Sequence, residues 1–474
     1  MNERLNEILK AHTKEFEEVS DAIWEHPETR YQEFQSSRIQ IEFLKERGFR
    51  LTEEIAGIKT AFVAEAGEGK PVIAFLGEFD ALPGLSQYAD CPYENAIEEG
   101  KAGHGCGHNL LGTGAMEAAC VIKQYIEENN IKATVRYYGC PAEESGAGKA
   151  FMVREGCFDD VDFAYAWHPM FETGIMNKTL ANVRVIYDFT GKSSHAAACP
   201  EDGRSALDAC ELMNVGVNYL REHVKTDSRM HYAYLNAGGS APNIVPHKAT
   251  LLYALRAPKA SYVKELIERV SDVARGAALM TGTKVDIKVV SAYADFLSVP
   301  AMDMVMEDSI IDSPLVEYTD EEYKYASQFN SKEYDLKDNI DASYEKGKKS
   351  IPIGSTDVAD VSWIAPTGSI TVTTMAKDST MHGWSVVAQG KSSIAHKGMH
   401  RAAGILAQAA LKAARILRDD NPTPVTLPEA CAAVIEEYTD VVQCAGEMGL
   451  GVDFKQMQEK LERFKKRAKA VRKL

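Results

Sequence analysis

The sequence lacks segments that would carry it into or across a membrane. No run of eighteen apolar residues occurs in its 474 residues, which argues against a helix that spans a bilayer. The opening stretch, MNERLNEILKAHTKEFEEVSDAIW, is charged and has apolar residues at helical spacing rather than a continuous apolar core. It therefore does not have the pattern of a signal peptide, and we expect a cytoplasmic protein.

The sequence also lacks a disulfide pattern and an excess of positive charge. Its nine cysteines are an odd number scattered through a large acidic chain, which favours reduced thiols. Fifty-three basic and sixty-nine acidic residues give a formal net charge of −16, which argues against nucleic acid or anionic membrane as a partner. The C-terminal stretch KLERFKKRAKAVRKL is locally basic, and we predict a solvated helix there rather than an interaction tail.

Short apolar runs alternate with helical patterns over most of the chain, which predicts an α/β fold with a mainly parallel sheet. The predicted strands lie at 60–66, 71–77, 133–139, 162–167 and 369–376, and the two long helices at 110–129 and 392–417. Residues 181–297 follow a different order, β-α-β-β-α-β, which is typical of a ferredoxin-like unit.

A chain of this length is expected to form more than one domain. We predict a discontinuous α/β domain of residues 1–180 and 298–420 that binds metal, with an inserted α+β ferredoxin-like domain at 181–297. Residues 317–350 are polar and rich in tyrosine, which predicts a loop or an irregular helix. Residues 421–474 form a predicted helical extension of unknown role.

Side chains with metal-binding chemistry lie near the ends of several predicted strands. In open α/β sheets, sites form beyond the carboxyl ends of the strands, so these side chains are expected to meet at one edge. Two of them, Cys106 and His108, alternate with glycine in GHGCGHN, where alternate side chains of an extended loop share a face. The others come shortly after predicted strands: Glu78, Asp80, Glu143, Glu144, His168 and His382.

This set of side chains predicts a metal centre. Thiolate, imidazole and carboxylate groups are the ligands of zinc and similar first-row ions. The adjacent Glu143 and Glu144 would repel each other if buried, unless one binds a cation and the other acts as general base on a water. Asp80 is a candidate for holding a ligating histidine in the correct tautomer.

Several of these residues also have ordinary structural interpretations. Cys106 could be a small buried hydrophobic residue, and the glutamate pair could lie on a solvated surface. His104 is interpreted as a loop residue or as one that supports a metal ligand without contacting the metal. His396 and His400 lie one helical turn apart, a spacing that can also bind metal. They lie inside an apolar helical pattern, and we interpret them as packing residues or residues at the rim of the site.

The motifs GHGCGHN, CPAEE and WHP, together with the late His382, resemble the metal-dependent aminoacylase and carboxypeptidase family. They resemble the branch in which cysteine replaces an aspartate ligand and, within it, the aminobenzoyl-glutamate hydrolase group. The resemblance covers roughly residues 20 to 415. The chain has Glu78 and Asn109 where the indole-acetyl-amino-acid hydrolases of this branch have aspartate, which weakens a direct transfer from those enzymes.

The resemblance implies two divalent metal ions per subunit, zinc or manganese with cobalt as a further possibility. It implies Glu143 as the general base and five metal ligands, namely Cys106, His108, Glu144, His168 and His382. The inserted domain resembles a dimerisation or lid domain, in which His195 would reach the partner's active site and stabilise an oxyanion. Asn243 and Arg256 would bind a free carboxylate of the substrate. For His195 and Arg256 the alternatives are a turn residue and a strand-edge salt bridge.

The expected function is a metal-dependent amidohydrolase that cleaves an amide bond adjacent to a free carboxylate. The substrate would be aminobenzoyl-glutamate-like, an N-acyl amino acid or a dipeptide. We expect a homodimer formed through the inserted domain, with a second hydrolase subunit as a possible partner. Two alternatives stay open: an amidase that uses Cys106 as nucleophile, and a catalytically silent metal-bound dimer that acts as a binding protein.

Overall fold

A computed structural model describes residues 2–350 and 354–416 of the chain. The predicted extension at 421–474, with its basic stretch, lies outside the described residues. Among the helices of the described part, none combines the length and the apolar character that crossing a membrane requires.

The strands of the described residues form two sheets. In chain order they are β1 (Arg50–Glu53), β2 (Phe62–Glu68), β3 (Val72–Glu78), β4 (Ala133–Cys140), β5 (Phe163–Met170), β6 (Gly174–Ile175), β7 (Ala181–Thr190), β8 (Arg229–Asn236), β9 (Lys248–Ala257), β10 (Lys284–Tyr293) and β11 (Thr367–Thr373).

The α-helices of the same residues vary from one turn to more than six turns. They are α1 (Glu3–Trp24), α2 (Phe34–Glu46), α3 (His108–Glu128), α4 (Glu143–Gly146), α5 (Gly148–Arg154), α6 (Ala206–Leu220), α7 (Ala260–Thr281), α8 (Pro300–Asp312), α9 (Asp320–Ser327), α10 (Val358–Ser362), α11 (Trp384–Gln389) and α12 (Ser393–Ile416). The segment 317–350, predicted as loop or irregular helix, contains α9 and a short 3-10 helix, Leu336–Asn339.

The larger sheet has seven strands in the order β1-β2-β4-β3-β5-β11-β6. Its four central strands, β4, β3, β5 and β11, are parallel, and antiparallel strands flank them on both sides. Every residue of β3, β5 and β11 is buried, as expected for parallel strands that are covered on both faces. The predicted α/β fold with a mainly parallel sheet is confirmed.

The parallel arrangement places the carboxyl ends of the central strands along one edge of the sheet. β3 ends at Glu78, β4 leads into Glu143, and His168 lies near the end of β5. Helix α3 begins at His108, directly after the GHGCG turn. The candidate metal ligands therefore reach this edge because of strand direction, although they lie far apart in sequence.

The residues Thr179–Asp295 form a compact unit of their own, and the described residues before and after them belong to the other unit. The smaller unit contains an antiparallel sheet in the order β10-β7-β9-β8 with helices α6 and α7. Burial alternates along β9, because one face of the sheet packs against the helices and the other does not. The chain order β7-α6-β8-β9-α7-β10 is the predicted ferredoxin-like unit.

Candidate metal centre

The turn that carries Cys106 and His108 depends on glycine. Gly107 has a φ of 74°, in the left-handed region, and it forms the N-cap of α3. A Cβ atom at this position would also lie 3.1 Å from the Cβ of Pro169, next to the end of β5. Glycine therefore allows the backbone to turn sharply and to approach β5, which brings Cys106 and His108 to the sheet edge.

Cys106 and His168 face each other inside the protein. The Cys106 Sγ lies 3.3 Å from the His168 Nε2, and both residues are buried. The Nδ1 of His168 donates a hydrogen bond to the Pro169 carbonyl at 2.7 Å, so the lone pair of a neutral imidazole is on Nε2. Burial, with the charge of Glu144, raises the pKa of the Cys106 thiol well above its usual range. A thiolate here needs a cation to stabilise it.

Asp80 orients both His108 and the backbone of Glu144. The His108 Nδ1 donates to Asp80 Oδ1 at 3.0 Å, and the Glu144 backbone N–H donates to Asp80 Oδ2 at 3.0 Å. Burial alone would raise the pKa of Asp80, but the hydrogen bond and charge of His108 outweigh it and lower that pKa. Since Nδ1 is the donor, the Nε2 lone pair of neutral His108 faces into the site.

The inward-facing nitrogen of His108 is surrounded by acceptors. Its Nε2 is buried and makes no hydrogen bond with any described residue. Glu78 Oε2 lies 3.4 Å away, and Glu144 Oε1 lies 3.9 Å away. A buried ring nitrogen that faces two carboxylates fits a site for a shared cation.

The two adjacent glutamates are held in a tight turn between β4 and α5. Ala142, with a φ of 62°, precedes them in the left-handed region. Burial, followed by the nearby Glu78 and Glu144 carboxylates, raises the pKa of Glu143 well above its usual range. Burial also raises the pKa of Glu144. The turn thus concentrates acidic groups that favour either protons or a metal ion.

His382 also lies close to Glu144. Its Nε2 lies 3.5 Å from Glu144 Oε2, and 56% of its side chain is exposed. The residue has a φ of 59°, and its backbone N–H donates to the carbonyl of Gly105 at 2.9 Å. The backbone bond ties the late loop to the GHGCG turn, which explains how His382 comes within reach of Glu144.

The candidate ligands form three overlapping groups, in each of which the ligand atoms lie within 4.8 Å of one another. They are Cys106 with His108 and His168, Cys106 with Glu144 and His382, and Glu78 with His108 and Glu143. Cys106 belongs to two groups, so its sulfur can contact two neighbouring cation positions. The donor set, the burial and the unsatisfied His108 nitrogen fit divalent metal ions with thiolate, imidazole and carboxylate ligands.

Three buried charged residues near the centre were missed from the sequence. They are Lys149, Asp357 and Glu33. Lys149 contacts both Asp357 and the predicted Glu78, and the side chains of Lys149, Asp357 and Glu78 are at most 4% exposed. Glu33 accepts hydrogen bonds from the backbone N–H of Ala142 at 3.0 Å and from Thr60. Burial and then the charge of Asp80 raise the pKa of Glu33 to about 7. Isolated charges within small or apolar runs, such as GAGKAFM and STDVADV, were the available signal.

Three further histidines of this unit have partners outside the three ligand groups. His104 Nε2 lies 3.1 Å from the Ile23 carbonyl. His396 contacts Asp21 at 2.9 Å, and His400 contacts Glu117 at 2.9 Å. Each of these histidines therefore has a local structural contact.

His195 and Asn243 are neighbours in the smaller unit. The backbone N–H of Ala196 donates to the Asn243 carbonyl at 3.0 Å, beyond the end of β7. The exposed His195 accepts hydrogen bonds at Nδ1 from the backbone N–H groups of Ala197 and Ala198 at 3.2 and 3.1 Å. The hydrogen of its neutral ring is therefore on Nε2, which leaves that atom as a donor.

Arg256 lies at the other end of the same sheet. It follows Lys248, the first residue of β9, by eight residues, which corresponds to roughly 26 Å along a strand. The pairing of β7 and β9 places Asn182 opposite Arg256 and Thr190 opposite Lys248, on the side of His195 and Asn243. Within one chain, the structure does not bring Arg256 to these two residues.

Comparison with known proteins gives a consistent result. Residues 74–461 match peptidase family M20/M25/M40. One of the subunits of the p-aminobenzoyl-glutamate hydrolase of Escherichia coli (strain K12) is 41% identical over 431 residues, which cover 85% of this chain and 90% of that protein. The Xaa-Arg dipeptidase of Mus musculus is 32% identical over 62% of this chain and 70% of its own length.

A solved structure shares the fold. A dinuclear metal-binding peptidase of the M20 family from Bacillus subtilis aligns with a TM-score of 0.57 and 18% identity, over 85% of this chain and 99% of that chain. The family match covers more than half of the sequence, and the Escherichia coli relative is matched over most of its length. This chain belongs to peptidase family M20/M25/M40, whose named relatives here hydrolyse amide or peptide bonds.

Proposed function

We propose that this protein is a metal-dependent amidohydrolase with two divalent cations per subunit, zinc or manganese, that cleaves an amide bond next to a free carboxylate. The observation that carries the proposal is the position of Cys106, whose sulfur belongs to two adjacent ligand groups. Glu143, a buried carboxylate with a raised pKa, lies beside both His108 and Glu78. A metal-bound scaffold would not need such a base.

Each residue of the site has a role in this proposal. Cys106, His108, Glu144, His168 and His382 hold the cations, which when bound polarise a carbonyl and lower the pKa of water. Glu143 accepts a proton from the attacking water and delivers it to the leaving amine. Asp80 keeps His108 and the Glu144 backbone in place through its two oxygens. Burial excludes bulk water, which strengthens these interactions.

A homodimer would complete the site with residues of the smaller unit. Arg256 and Asn243 are too far apart in one chain to bind the same carboxylate, so we propose that they come from different chains. The Nε2 hydrogen of His195 is suited to stabilise the developing oxyanion in the partner's site. Arg256 presents a planar guanidinium that matches a carboxylate, and its buried Nε makes no hydrogen bond with a described residue.

The first substrate to test is p-aminobenzoyl-glutamate. The relative with 41% identity is named as one subunit of a hydrolase of this compound. We therefore propose that a second hydrolase subunit is a possible partner of this chain. N-acyl amino acids and small dipeptides are the next candidates, since the family also contains a dipeptidase of similar sequence.

The deciding experiment measures hydrolysis by the purified chain after chelation and after addition of zinc, manganese or cobalt. The panel contains p-aminobenzoyl-glutamate and amides that end in acidic, basic and apolar amino acids. We expect activity to disappear on chelation and to return with metal. Activity that survives chelation but is lost on alkylation would instead indicate Cys106 as a nucleophile. Full metal binding without hydrolysis of any compound would indicate a binding protein.

Two variants test the assigned roles. Glu143→Gln should retain its metal and lose activity by on the order of a hundredfold or more, because it removes the proton acceptor and keeps the side-chain volume. Mixed dimers of inactive Glu143→Gln and His195→Ala chains should recover part of the activity, because one of the two sites then has both residues. Absence of recovery, with subunit exchange demonstrated, would contradict catalysis across the dimer.

A further inference from the structure

A buried cluster of three charged residues adjoins the metal centre. Lys149, in α5, places its Nζ 2.6 Å from Glu78 Oε1 and 2.6 Å from Asp357 Oδ1. The backbone N–H of Lys149 donates to the other Asp357 oxygen at 2.8 Å. Lys149 and Asp357 are fully buried, and the Glu78 side chain is 4% exposed. The ammonium group thus fixes one oxygen of Glu78.

The other oxygen of Glu78 faces the metal centre. Its Oε2 lies 3.4 Å from His108 Nε2. Because His108 donates to Asp80 through Nδ1, its Nε2 directs at this carboxylate oxygen a lone pair when the ring is neutral and a hydrogen when the ring is protonated. Two lone pairs that face each other in a buried site repel, unless a proton or a cation lies between them. Glu78 and His108 also share a ligand group with Glu143.

The charges of the cluster do not cancel. Two carboxylates surround the single ammonium group of Lys149, so the cluster carries about one net negative charge. Lys149 has no exposed surface through which water could compensate. A buried net charge is costly when unpaired, and a cation next to Glu78 Oε2 would neutralise it.

We propose that Glu78 is a further ligand of the metal centre, binding through Oε2 the same cation as His108, and that Lys149 positions it by holding Oε1. This inference rests on the proposed metal-dependent function, and it adds Glu78 to the five ligands assigned above. Lys149 restricts Glu78 to one available oxygen. Asp357 forms an ion pair with the same ammonium group, so Lys149 attracts Glu78 less strongly than it would without Asp357.

Metal binding, rather than activity, is the direct test. The metal-stripped full-length chain is titrated with Mn²⁺ or Zn²⁺ in competition with a chromophoric chelator, and the Glu78→Gln variant is compared with it. We expect two equivalents for the unmodified chain, and a loss of affinity of at least about tenfold for one equivalent in Glu78→Gln. The matched control is Glu117→Gln, an equally buried glutamate that contacts His400 and belongs to none of the ligand groups. It should bind as the unmodified chain does.

The neighbouring charges provide a test of the positioning role. Asp357→Asn should lower the affinity for the same equivalent, because Lys149 is then left to bind Glu78 alone. Lys149→Met should lower it as well, because Glu78 then loses the partner that holds Oε1, although a positive charge near the cation is also removed. Circular dichroism identifies any variant that fails to fold. If Lys149→Met is unfolded, Glu78→Gln and Asp357→Asn carry the test. An affinity that is unchanged or raised in Lys149→Met, as loss of the positive charge alone would predict, would contradict a positioning role.

The outcomes distinguish this inference from the proposed function. An unmodified chain that binds no divalent cation would overturn both. Two equivalents in the unmodified chain and unchanged affinities in Glu78→Gln would overturn the inference alone. With Co²⁺ as the probe, the absorption band from the Cys106 thiolate should persist in Glu78→Gln while the ligand-field bands change. Identical spectra of both proteins would likewise exclude Glu78 as a ligand.

Discussion

The carboxylate of Asp80 accepts the Nδ1 hydrogen bond of His108 at 3.0 Å, and both side chains are fully buried. The other Asp80 oxygen accepts the backbone N–H of Glu144 at 3.0 Å. One carboxylate thus links the GHGCGHN turn to the CPAEE turn. The tautomer of His108 and the placement of Glu144 depend on the same residue, although the two are 36 residues apart in sequence.

Asp80→Asn is therefore expected to weaken metal binding and activity together. An asparagine side chain has one acceptor oxygen for two donors. Either the Glu144 N–H loses its partner, or His108 loses its side-chain acceptor and keeps only the Asp80 backbone carbonyl, 3.1 Å from its Nδ1. We expect metal affinity to fall by about 10- to 100-fold, with a similar loss in kcat/KM at limiting metal. Metal titration and initial rates measure both quantities.

Asp188→Asn provides the comparison for that variant. Asp188 lies in the smaller unit and accepts a hydrogen bond from Thr250 at 2.8 Å. Its substitution changes one charge in the same way, and metal affinity should not change. If Asp80→Asn bound metal as tightly as Asp188→Asn does, the carboxylate of Asp80 would have no part in orienting His108.

Strand periodicity was sufficient to predict the sheet and the edge at which the site lies. The segments that form β3, β4, β5 and β11 are short apolar runs bounded by polar residues. Parallel strands that are buried on both faces have this pattern, so it could be recognised in the sequence. The ferredoxin-like unit was also predictable, because its order of helices and strands is readable along the chain.

Contacts between side chains from distant segments could not be predicted in the same way. Nothing in the sequence pairs Lys149 with Asp357, 208 residues later, since a pattern of periodicity carries no information about partners. The role of Glu33 was missed for the same reason, as its contact with Ala142 spans 109 residues. His382 was assigned through family resemblance, and its left-handed backbone gives no signal in the sequence.

Two substitutions distinguish Cys106 as a metal ligand from Cys106 as a nucleophile. Cys106→Asp keeps an anionic ligand and should retain metal with part of the activity, whereas Cys106→Ala should lose at least one equivalent of metal and about a hundredfold or more in rate. If the Cys106 thiol were the nucleophile, both variants would lose activity. Cys140→Ala is the control, because Cys140 is buried and donates to the Tyr138 carbonyl outside the ligand groups. Inactive Cys106→Asp with full metal content would favour the nucleophile.

Glu33 is expected to position the turn that carries the general base. Glu33→Ala removes the acceptor of the Ala142 N–H, next to Glu143, and should lower kcat by about tenfold or more while metal content is kept. Glu33→Gln retains an acceptor oxygen and should recover most of the rate. We measure kcat and KM separately for both variants. A general loss of folded protein would lower the rates of Glu33→Ala and Glu33→Gln alike, so recovery in Glu33→Gln distinguishes the positioning role. Equal rates for Glu33→Ala and the unmodified chain would remove Glu33 from the site.

The contact between His400 and Glu117 predicts a dependence of stability on pH. Burial would lower the pKa of His400, but the charge and hydrogen bond of Glu117 outweigh burial and raise it. Burial also raises the pKa of Glu117. Both groups bind protons more tightly in the folded state. The contribution of His400 is complete below a pH of about 6.5 and is lost as the pH rises through its folded pKa, whereas that of Glu117 is complete only below about 4.5 and is lost as the pH rises through its own folded pKa.

A double-mutant cycle measures that contribution without relying on the stability of any single variant. Guanidinium unfolding of the unmodified chain, His400→Gln, Glu117→Gln and the double variant gives the coupling free energy at each pH. We expect a coupling of about 1–3 kcal/mol at pH 6, because removal of either partner leaves a buried polar group unsatisfied. Measured from pH 6 to pH 9, the coupling should decline as the histidine loses its proton in the folded state as well. A coupling that stays constant over this range would show that the pair acts as an uncharged hydrogen bond, and the assigned pKa of His400 would be wrong.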